Sequence, residues 1–455
     1  MASETRTLRF QSDFKPAEFR ARRKRLMDAM GGEGLALLQG APTVPGFDTF
    51  RQTSDFYYLC GVEVPDAYLL IDAERRRCTV CLPPRNERRE RGEGPLPCAE
   101  DADFIRARTG ADEVHTPDRL LEHLPSAALL YLPQAPAEGA RMCRDTLLWQ
   151  QQQIDADPLN GRPSAETHFM RRVRSIAPNA EVRDLSPIVA EMRVVKSPAE
   201  VAVMRHAGRL AALAVTEAMR FTRPGLIEYQ LGALADAIYR AHGANGAGYR
   251  PIIAGGANGW MAHYYRNDGL LSDGDLVLMD YAPDVGNYTS DIGRMWPVNG
   301  RYSPRQRELY GLIVEYHRTL LSIIRPYVTP EAVMQEAAAR MRPLIEGWTF
   351  SRPHYRAAAM ALLDFKGHLS HGVGMSVHEP AGYYGKPLQP GTVFAVDPQL
   401  WVPEEQLYLR CEDTVAVTEH GCENLTAAAP LELDRVERLM KDEHRDHAWL
   451  GITVA

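Results

Sequence analysis

The segment Asp275-Leu-Val-Leu-Met-Asp280 constrains this chain more than any other. Leu276 to Met279 is an unbroken apolar run, the mark of a strand buried on both faces. The run ends on a carboxylate, and Asp291 follows beyond the turn signal Pro283-Asp-Val-Gly-Asn287. A hairpin tip at Val285-Gly286 sets Asp280 opposite Asp291, and opposed cross-strand Cβ atoms lie ~4.5–5.5 Å apart. Two like charges held there need a proton or a cation between them. The same pattern recurs downstream. Thr392-Val-Phe-Ala-Val-Asp397-Pro-Gln-Leu-Trp-Val402 and Leu407-Tyr-Leu-Arg-Cys-Glu412-Asp-Thr-Val-Ala-Val417 are strand-like runs, and a tip at Glu404-Glu405 sets Asp397 opposite Glu412.

Between the two acid pairs lies Gly367-His368-Leu-Ser-His371-Gly-Val-Gly-Met-Ser-Val-His378-Glu379-Pro380, and His263 precedes the first acid strand. A single histidine is more often a core or surface group than a ligand, so the set carries the reading. Four carboxylates and one imidazole can fill two oxygen-rich sites of the kind Mn, Co or Zn accept. Two such ions ~3.5–4 Å apart can clamp a hydroxide and polarise a carbonyl.

The rest of the chain frames these clusters. Its 455 residues suffice for two to four domains. With 52 Lys and Arg against 59 Asp and Glu, the net charge of −7 argues against a nucleic-acid partner or a polybasic membrane surface. No run reaches the ~18 apolar residues of a membrane span, and the first nine residues carry no apolar segment of a secretory signal. The seven cysteines are scattered, and Cys78-Thr-Val-Cys81 reads as a buried strand rather than half a zinc site, so a reducing, cytoplasmic compartment is expected.

Pro16 to Met30 reads as a helix with a solvated basic face of Arg20, Arg22, Arg23, Lys24 and Arg25. Strands are expected at Leu35 to Leu38, Ala67 to Ile71 and Thr79 to Leu82, with a polar loop from Arg85 to Pro95. Ser197-Pro198-Ala199-Glu200 is a capping box that opens a long amphipathic helix. A domain boundary is expected just before it, near residue 192.

The sequence resembles the aminopeptidase P and prolidase branch of the pita-bread metallopeptidases. Arg51-Gln-Thr-Ser-Asp-Phe-Tyr-Tyr-Leu-Cys-Gly61 is similar to that branch's N-domain signature. Asn258-Gly-Trp-Met-Ala-His263, Asp273-Gly-Asp-Leu-Val-Leu-Met-Asp280, Ser290-Asp291, Ser370-His371, Val377-His378-Glu379 and Glu412-Asp-Thr-Val follow the family in order and spacing. The resemblance implies a creatinase-like α/β N-terminal domain over residues 1–192. It implies an α+β pita-bread catalytic domain with a curved, mainly antiparallel sheet over residues 193–455.

By the same resemblance Asp280 would hold one metal, Asp291 and Glu412 would bridge both, and His371 and Asp397 would complete the second. His263 and His378 would line the substrate site, Asp397 would take the proton of a metal-bridging hydroxide, and Arg410 would support the ligands. The implied activity is release of an N-terminal residue that precedes proline, by a homodimer or homotetramer with two divalent ions, manganese first and cobalt or zinc as alternatives. Other readings are an Xaa-Pro dipeptidase, a non-catalytic peptide- or partner-binding protein of this fold, and a metal-free hydrolase like creatinase. Three positions depart from the family: Asp397-Pro398-Gln399 replaces the usual Glu-Pro-Gly, Gly367 stands where a histidine is common, and Trp401 replaces a common tyrosine.

Overall fold

A computed structural model describes residues 7–442, and the chain divides into two units, Met1–Arg193 and Val194–Ala455. Residues 1–6, the start of the stretch read above for a secretory signal, lie outside the described residues.

In the first unit, β1 (Leu35–Gln39), β2 (Tyr68–Asp72), β3 (Arg77–Cys81), β4 (Glu113–His115), β5 (Leu129–Leu132) and β6 (Glu181–Asp184) form a sheet in the order β4-β3-β2-β1-β5-β6. β1, β2 and β3 pair antiparallel, while β4, β5 and β6 join by parallel contacts, which gives the expected α/β domain. Cys78 and Cys81 are free thiols buried on β3.

Two local expectations change. Arg22 and Arg23, on the helix Pro16–Ala29, are buried rather than solvated. Arg23 donates to the carbonyls of Leu59, Thr109 and Gly110, and Arg22 donates to that of Tyr58 at 2.9 Å. These carbonyls close the helices Ser54–Cys60 and Ala102–Thr109. Both arginines thus satisfy the orphan acceptors at two helix C-termini. The polar segment after Arg85 contains a helix, Glu87–Glu93, because the Asn86 side chain accepts from Arg89 N and caps its first turn.

The second unit opens with the helix Pro198–Phe221. Ser197 Oγ accepts from Glu200 N, and Glu200 Oε2 accepts from Ser197 N at 2.9 Å. Its main sheet contains β8 (Ile252–Gly255), β9 (Leu276–Asp280), β11 (Ile292–Pro297), β12 (Leu369–Gly372), β13 (Val393–Val396), β16 (Glu412–Val417) and β17 (Cys422–Asn424). The order is β12-β13-β16-β11-β9-β8, with β17 also on β16, and every pairing is antiparallel. Two short ladders flank it: β7 (Gly246–Ala247) with β10 (Pro283–Asp284), and β14 (Gln399–Val402) with β15 (Leu407–Arg410). The antiparallel sheet curls into a half-barrel, the expected pita-bread arrangement, with the helix Pro198–Phe221 packed on β11 and the helix Glu228–Ala241 on β8. β9, β11, β13 and β16 are buried at every position, so side chains on both faces are cut off from water.

The tip of the β14–β15 ladder is pinned by one carboxylate. Glu405 meets Arg305 at 2.8 Å, Arg352 at 2.5 Å, His354 at 2.8 Å and the Tyr355 hydroxyl at 2.7 Å. Burial alone would raise its pKa, but the bonds from His354 and Tyr355 and the charges of Arg352 and Arg305 outweigh that and hold it at about 2. Because folding depresses this pKa, the contribution is complete above the unfolded value of ~4.3 and is lost as pH falls toward 2. Glu405→Gln is expected to cost about 1–3 kcal/mol at neutral pH. The gap in melting temperature between the two proteins should close between pH ~4.5 and ~2, which thermal melts across that range would show.

Candidate metal centre

Each acid is delivered by the end of a buried strand. Asp280 is the last residue of β9, and Asp291 stands immediately before β11. They are not directly opposed: the register pairs Asp280 with Gly293. The reason is the turn. Val285 and Tyr288 exchange both backbone hydrogen bonds, and the two central residues, Gly286 and Asn287, have φ of 56° and 65°. A two-residue loop with both φ positive favours glycine and asparagine, so the tip is Gly286-Asn287, one place beyond the expected Val285-Gly286. Asp280 and Asp291 become diagonal neighbours, and Tyr249 joins them: its hydroxyl lies 2.8 Å from Asp280 Oδ1 and 2.7 Å from Asp291 Oδ1.

Gly293 is paired with Asp280 on one side and Glu412 on the other. A Cβ there would lie 3.0 Å from Glu412 Cβ and 3.2 Å from Glu412 Oε2. Only glycine leaves the glutamate carboxylate its place. Gly293→Ala is expected to push that carboxylate aside and lower metal affinity about 10–100-fold, measured by titration calorimetry.

The second acid pair keeps its expected register. Val396 faces Asp413 on one side of it and Gln399 faces Arg410 on the other, so Asp397 and Glu412 stand across from each other. Arg410 runs between the acids. Its Nη1 lies 3.0 Å from Asp280 Oδ2, its Nε 3.0 Å from Asp397 Oδ1, and its Nη2 on Glu412 Oε2. His371, on β12, brings Nε2 to 3.4 Å from Asp291 Oδ2, and its ring centre is 4.1 Å from that of His378. Asp280, Asp291, His371, His378, Asp397, Arg410 and Glu412 therefore form one continuous cluster. His263 is carried by the loop after β8, is exposed, and stacks on Tyr265 with centroids 6.1 Å apart.

His368 belongs to the core. Its Nε2 meets the Leu362 carbonyl at 2.7 Å, its ring lies 4.4 Å from Tyr316 and 4.9 Å from Phe365, and burial pushes its pKa down to about 4. Trp401 faces Tyr408 across the β14–β15 ladder, with ring centres 4.1 Å apart. Sequence reasoning missed Tyr249, a single tyrosine in a loop. It also missed Thr414, whose hydroxyl accepts from Asp291 N at 2.7 Å and donates to Asp291 O.

The donor set fits divalent cations. Asp291, His371 and Glu412 offer ligand atoms within 4.8 Å of one another. Glu412 Oε1 is buried and has no hydrogen-bond partner among the described residues, a costly state for a carboxylate oxygen unless something else takes it up. Burial and the charge of Asp280 push the Asp291 carboxyl well above the usual range. Burial likewise raises Asp397 and Glu412, although Arg410 opposes both shifts. One guanidinium thus leaves Asp291, Asp397 and Glu412 under-compensated, and more positive charge is required for these three to ionise together. Burial, and then the charge of His378, push the His371 pKa well down, which keeps its imidazole in the neutral form that ligates metals.

This fold and this set of side chains define a metallohydrolase centre, and known proteins name its family. Residues 202–419 match the model of metallopeptidase family M24, and residues 19–130 match that of the aminopeptidase P N-terminal domain. Xaa-Pro aminopeptidase of Escherichia coli is 30% identical over 94% of this chain and 98% of its own length. Mouse Xaa-Pro aminopeptidase 3 is 30% identical over 86% of this chain and 77% of its own. The structure of zinc-substituted E. coli aminopeptidase P with product superposes with a TM-score of 0.76, at 29% identity over 95% of this chain and 100% of that one. The chain belongs to metallopeptidase family M24, in its aminopeptidase P branch.

Proposed function

We propose that the chain is a metal-dependent aminopeptidase that hydrolyses the bond between an N-terminal residue and a following proline. The observation that carries this is the convergence of four buried carboxylates and a neutral imidazole, with Glu412 Oε1 left without a partner among the described residues. Asp280 and Asp291 would hold one cation, His371 and Asp397 the other, with Asp291 and Glu412 shared. The donors are mostly carboxylate oxygens, which suits manganese first, then cobalt or zinc. Bound there, two divalent ions supply an acidified water and a Lewis acid for the scissile carbonyl.

The protein's own groups do the rest. Tyr249, with a single proton, can donate to Asp280 or Asp291 but not both, which orients the two carboxylates against each other. Asp397 receives the proton that the nucleophile loses, at Oδ2. Arg410 stays ionised, because the surrounding carboxylates more than offset its burial, and it spaces Asp280, Asp397 and Glu412. His378, against His371, and the exposed His263 supply imidazoles for the peptide carbonyl and the departing amine. A homodimer or homotetramer and a reducing, cytoplasmic setting complete the reading, the latter in keeping with seven free thiols. No helix among the described residues is long and apolar enough to cross a membrane.

The test loads metal-free protein separately with Mn, Co and Zn and offers Arg-Pro-Pro and Ala-Pro. Release of arginine from the tripeptide, at least roughly tenfold faster than cleavage of the dipeptide, a margin worth ~1.4 kcal/mol, is the expected result. The reverse preference would make the chain a dipeptidase. No cleavage of either by protein that has taken up metal would leave only a binding role.

A further inference from the structure

Asp397 is buried, and Pro398 follows it with no N–H to offer. Both of its oxygens are nevertheless engaged by side chains. Arg410 Nε meets Oδ1 at 3.0 Å, and Gln399 Nε2 donates to Oδ2. Gln399 and Arg410 are direct cross-strand partners on β14 and β15. Two facing residues of one rigid ladder therefore grip one carboxylate from two sides. An aspartate reaches one C–C bond, ~1.5 Å, less far than a glutamate would from the same backbone. The Gln399 amide occupies the position against Oδ2 where a longer acid would need room.

We propose that Gln399 is a positioning residue for the second cation site: its amide fixes the Asp397 carboxylate in the one orientation from which that short side chain reaches the cation. Asp397 and Gln399 then act as a unit, and neither is replaceable alone. This inference rests on the metallopeptidase reading above. The neighbours of a ligand that orient it typically change metal affinity 10–100-fold when removed, and Gln399 stands in that relation to Asp397.

The test is a double-mutant cycle read by calorimetric titration of metal-free protein with Mn²⁺. Its members are the wild type, Gln399→Gly, Asp397→Glu and the double variant, with Gln399→Met as a variant of similar volume that lacks the donor. Each Gln399 variant is expected to weaken the second equivalent about 10–100-fold and to leave the first equivalent unchanged, while the metal-free protein loses no more than the ~1–3 kcal/mol of a buried hydrogen bond to a charged group. Asp397→Glu alone is expected to weaken the second equivalent too, because the longer acid meets the amide. The double variant should return to within about threefold of wild type, well inside the range seen when such partners are lost. Wild-type affinity in Gln399→Met, or effects that simply add across the cycle, would overturn the proposal while leaving the metallopeptidase reading intact. A wild type that binds no Mn²⁺ and spares both peptides would overturn the parent reading and this one with it.

Discussion

Asp291→Asn is expected to lower kcat/KM at least about 10³-fold while making the metal-free protein melt at a higher temperature. The two effects have one origin. Asp291 is buried, shares the Tyr249 hydroxyl with Asp280, and lies 3.4 Å from His371 Nε2. Its carboxyl is pushed well above the usual range by burial and by Asp280, with Arg410 only partly opposing. Asparagine keeps the shape and removes the charge. The metal-free fold then loses a like-charge repulsion, so it gains stability. With metal present the balance inverts, because the acid proposed above to serve both cations is gone. A loss of several kcal/mol of charge stabilisation at ~1.4 kcal/mol per decade corresponds to about 10³ in rate.

Three measurements check this. Peptide hydrolysis reads the rate. Melts of metal-free protein read the sign: a drop in Asp291→Asn would mean that the carboxylate is a structural acceptor and would sink the argument. Melts with excess Mn²⁺ read linkage, since a ligand at 100 times its Kd stabilises by ~2.7 kcal/mol, and the variant should lose most of that increment. The pH dependence follows in sign. Folding raises the Asp291 carboxyl, so its protonated form favours the folded metal-free chain. That contribution is complete below the unfolded value of ~3.9 and is lost as pH rises through the folded one. Metal uptake displaces the proton, so affinity should rise with pH in the wild type and less steeply in the variant.

The parts of this site that were legible in the sequence are those set by pattern. Apolar runs ending in acids gave strands and their ends. At the second pair the facing residues followed directly, because Glu404 and Glu405 do lie in the turn and no bulge intervenes. The first pair missed by one residue at the tip, since the choice between Val285-Gly286 and Gly286-Asn287 depends on which residues accept positive φ, and asparagine does so nearly as readily as glycine. Arg22 and Arg23 looked like solvated charge because a helix wheel cannot show the carbonyls of other helices reaching them. Tyr249 carried no signal of its own, and Gln399 stood out only as a departure from the usual Glu-Pro-Gly. Their roles arise only when distant segments meet: Tyr249 acts on Asp280 and Asp291, and Gln399 shares its ladder with Arg410.

Asp413→Ala is expected to be the most destabilising single change near the site, by about 3–5 kcal/mol, without removing any proposed ligand. Side chains alternate along a strand, so while Glu412 points to the carboxylate cluster, Asp413 points to the other face of β16. There Asp413 Oδ1 meets Arg294 Nη2 at 2.7 Å and the Thr426 hydroxyl, and Oδ2 lies 3.1 Å from His317 Nε2. Asp413, Arg294 and His317 are all buried. Burial would raise the Asp413 carboxyl, but Arg294, His317 and Thr426 hold it well below the usual range. Arg294 also donates to the Glu412 carbonyl at 2.6 Å, so the pair sets the backbone from which Glu412 projects. Alanine at 413 strands a buried guanidinium. At ~2–4 °C per kcal/mol for a domain of this size, the melting temperature should fall by about 6–20 °C. Arg294→Met with Asp413→Leu removes both charges and should recover much of that stability. The same double variant lacks the bond to the Glu412 carbonyl, so its Mn²⁺ affinity should stay below wild type even where its melting temperature does not. Full recovery of both would show that the Arg294–Asp413 pair holds the sheet together without aiming Glu412. A loss below ~1 kcal/mol in Asp413→Ala, the range of an exposed ion pair, would show that water reaches Arg294 after all.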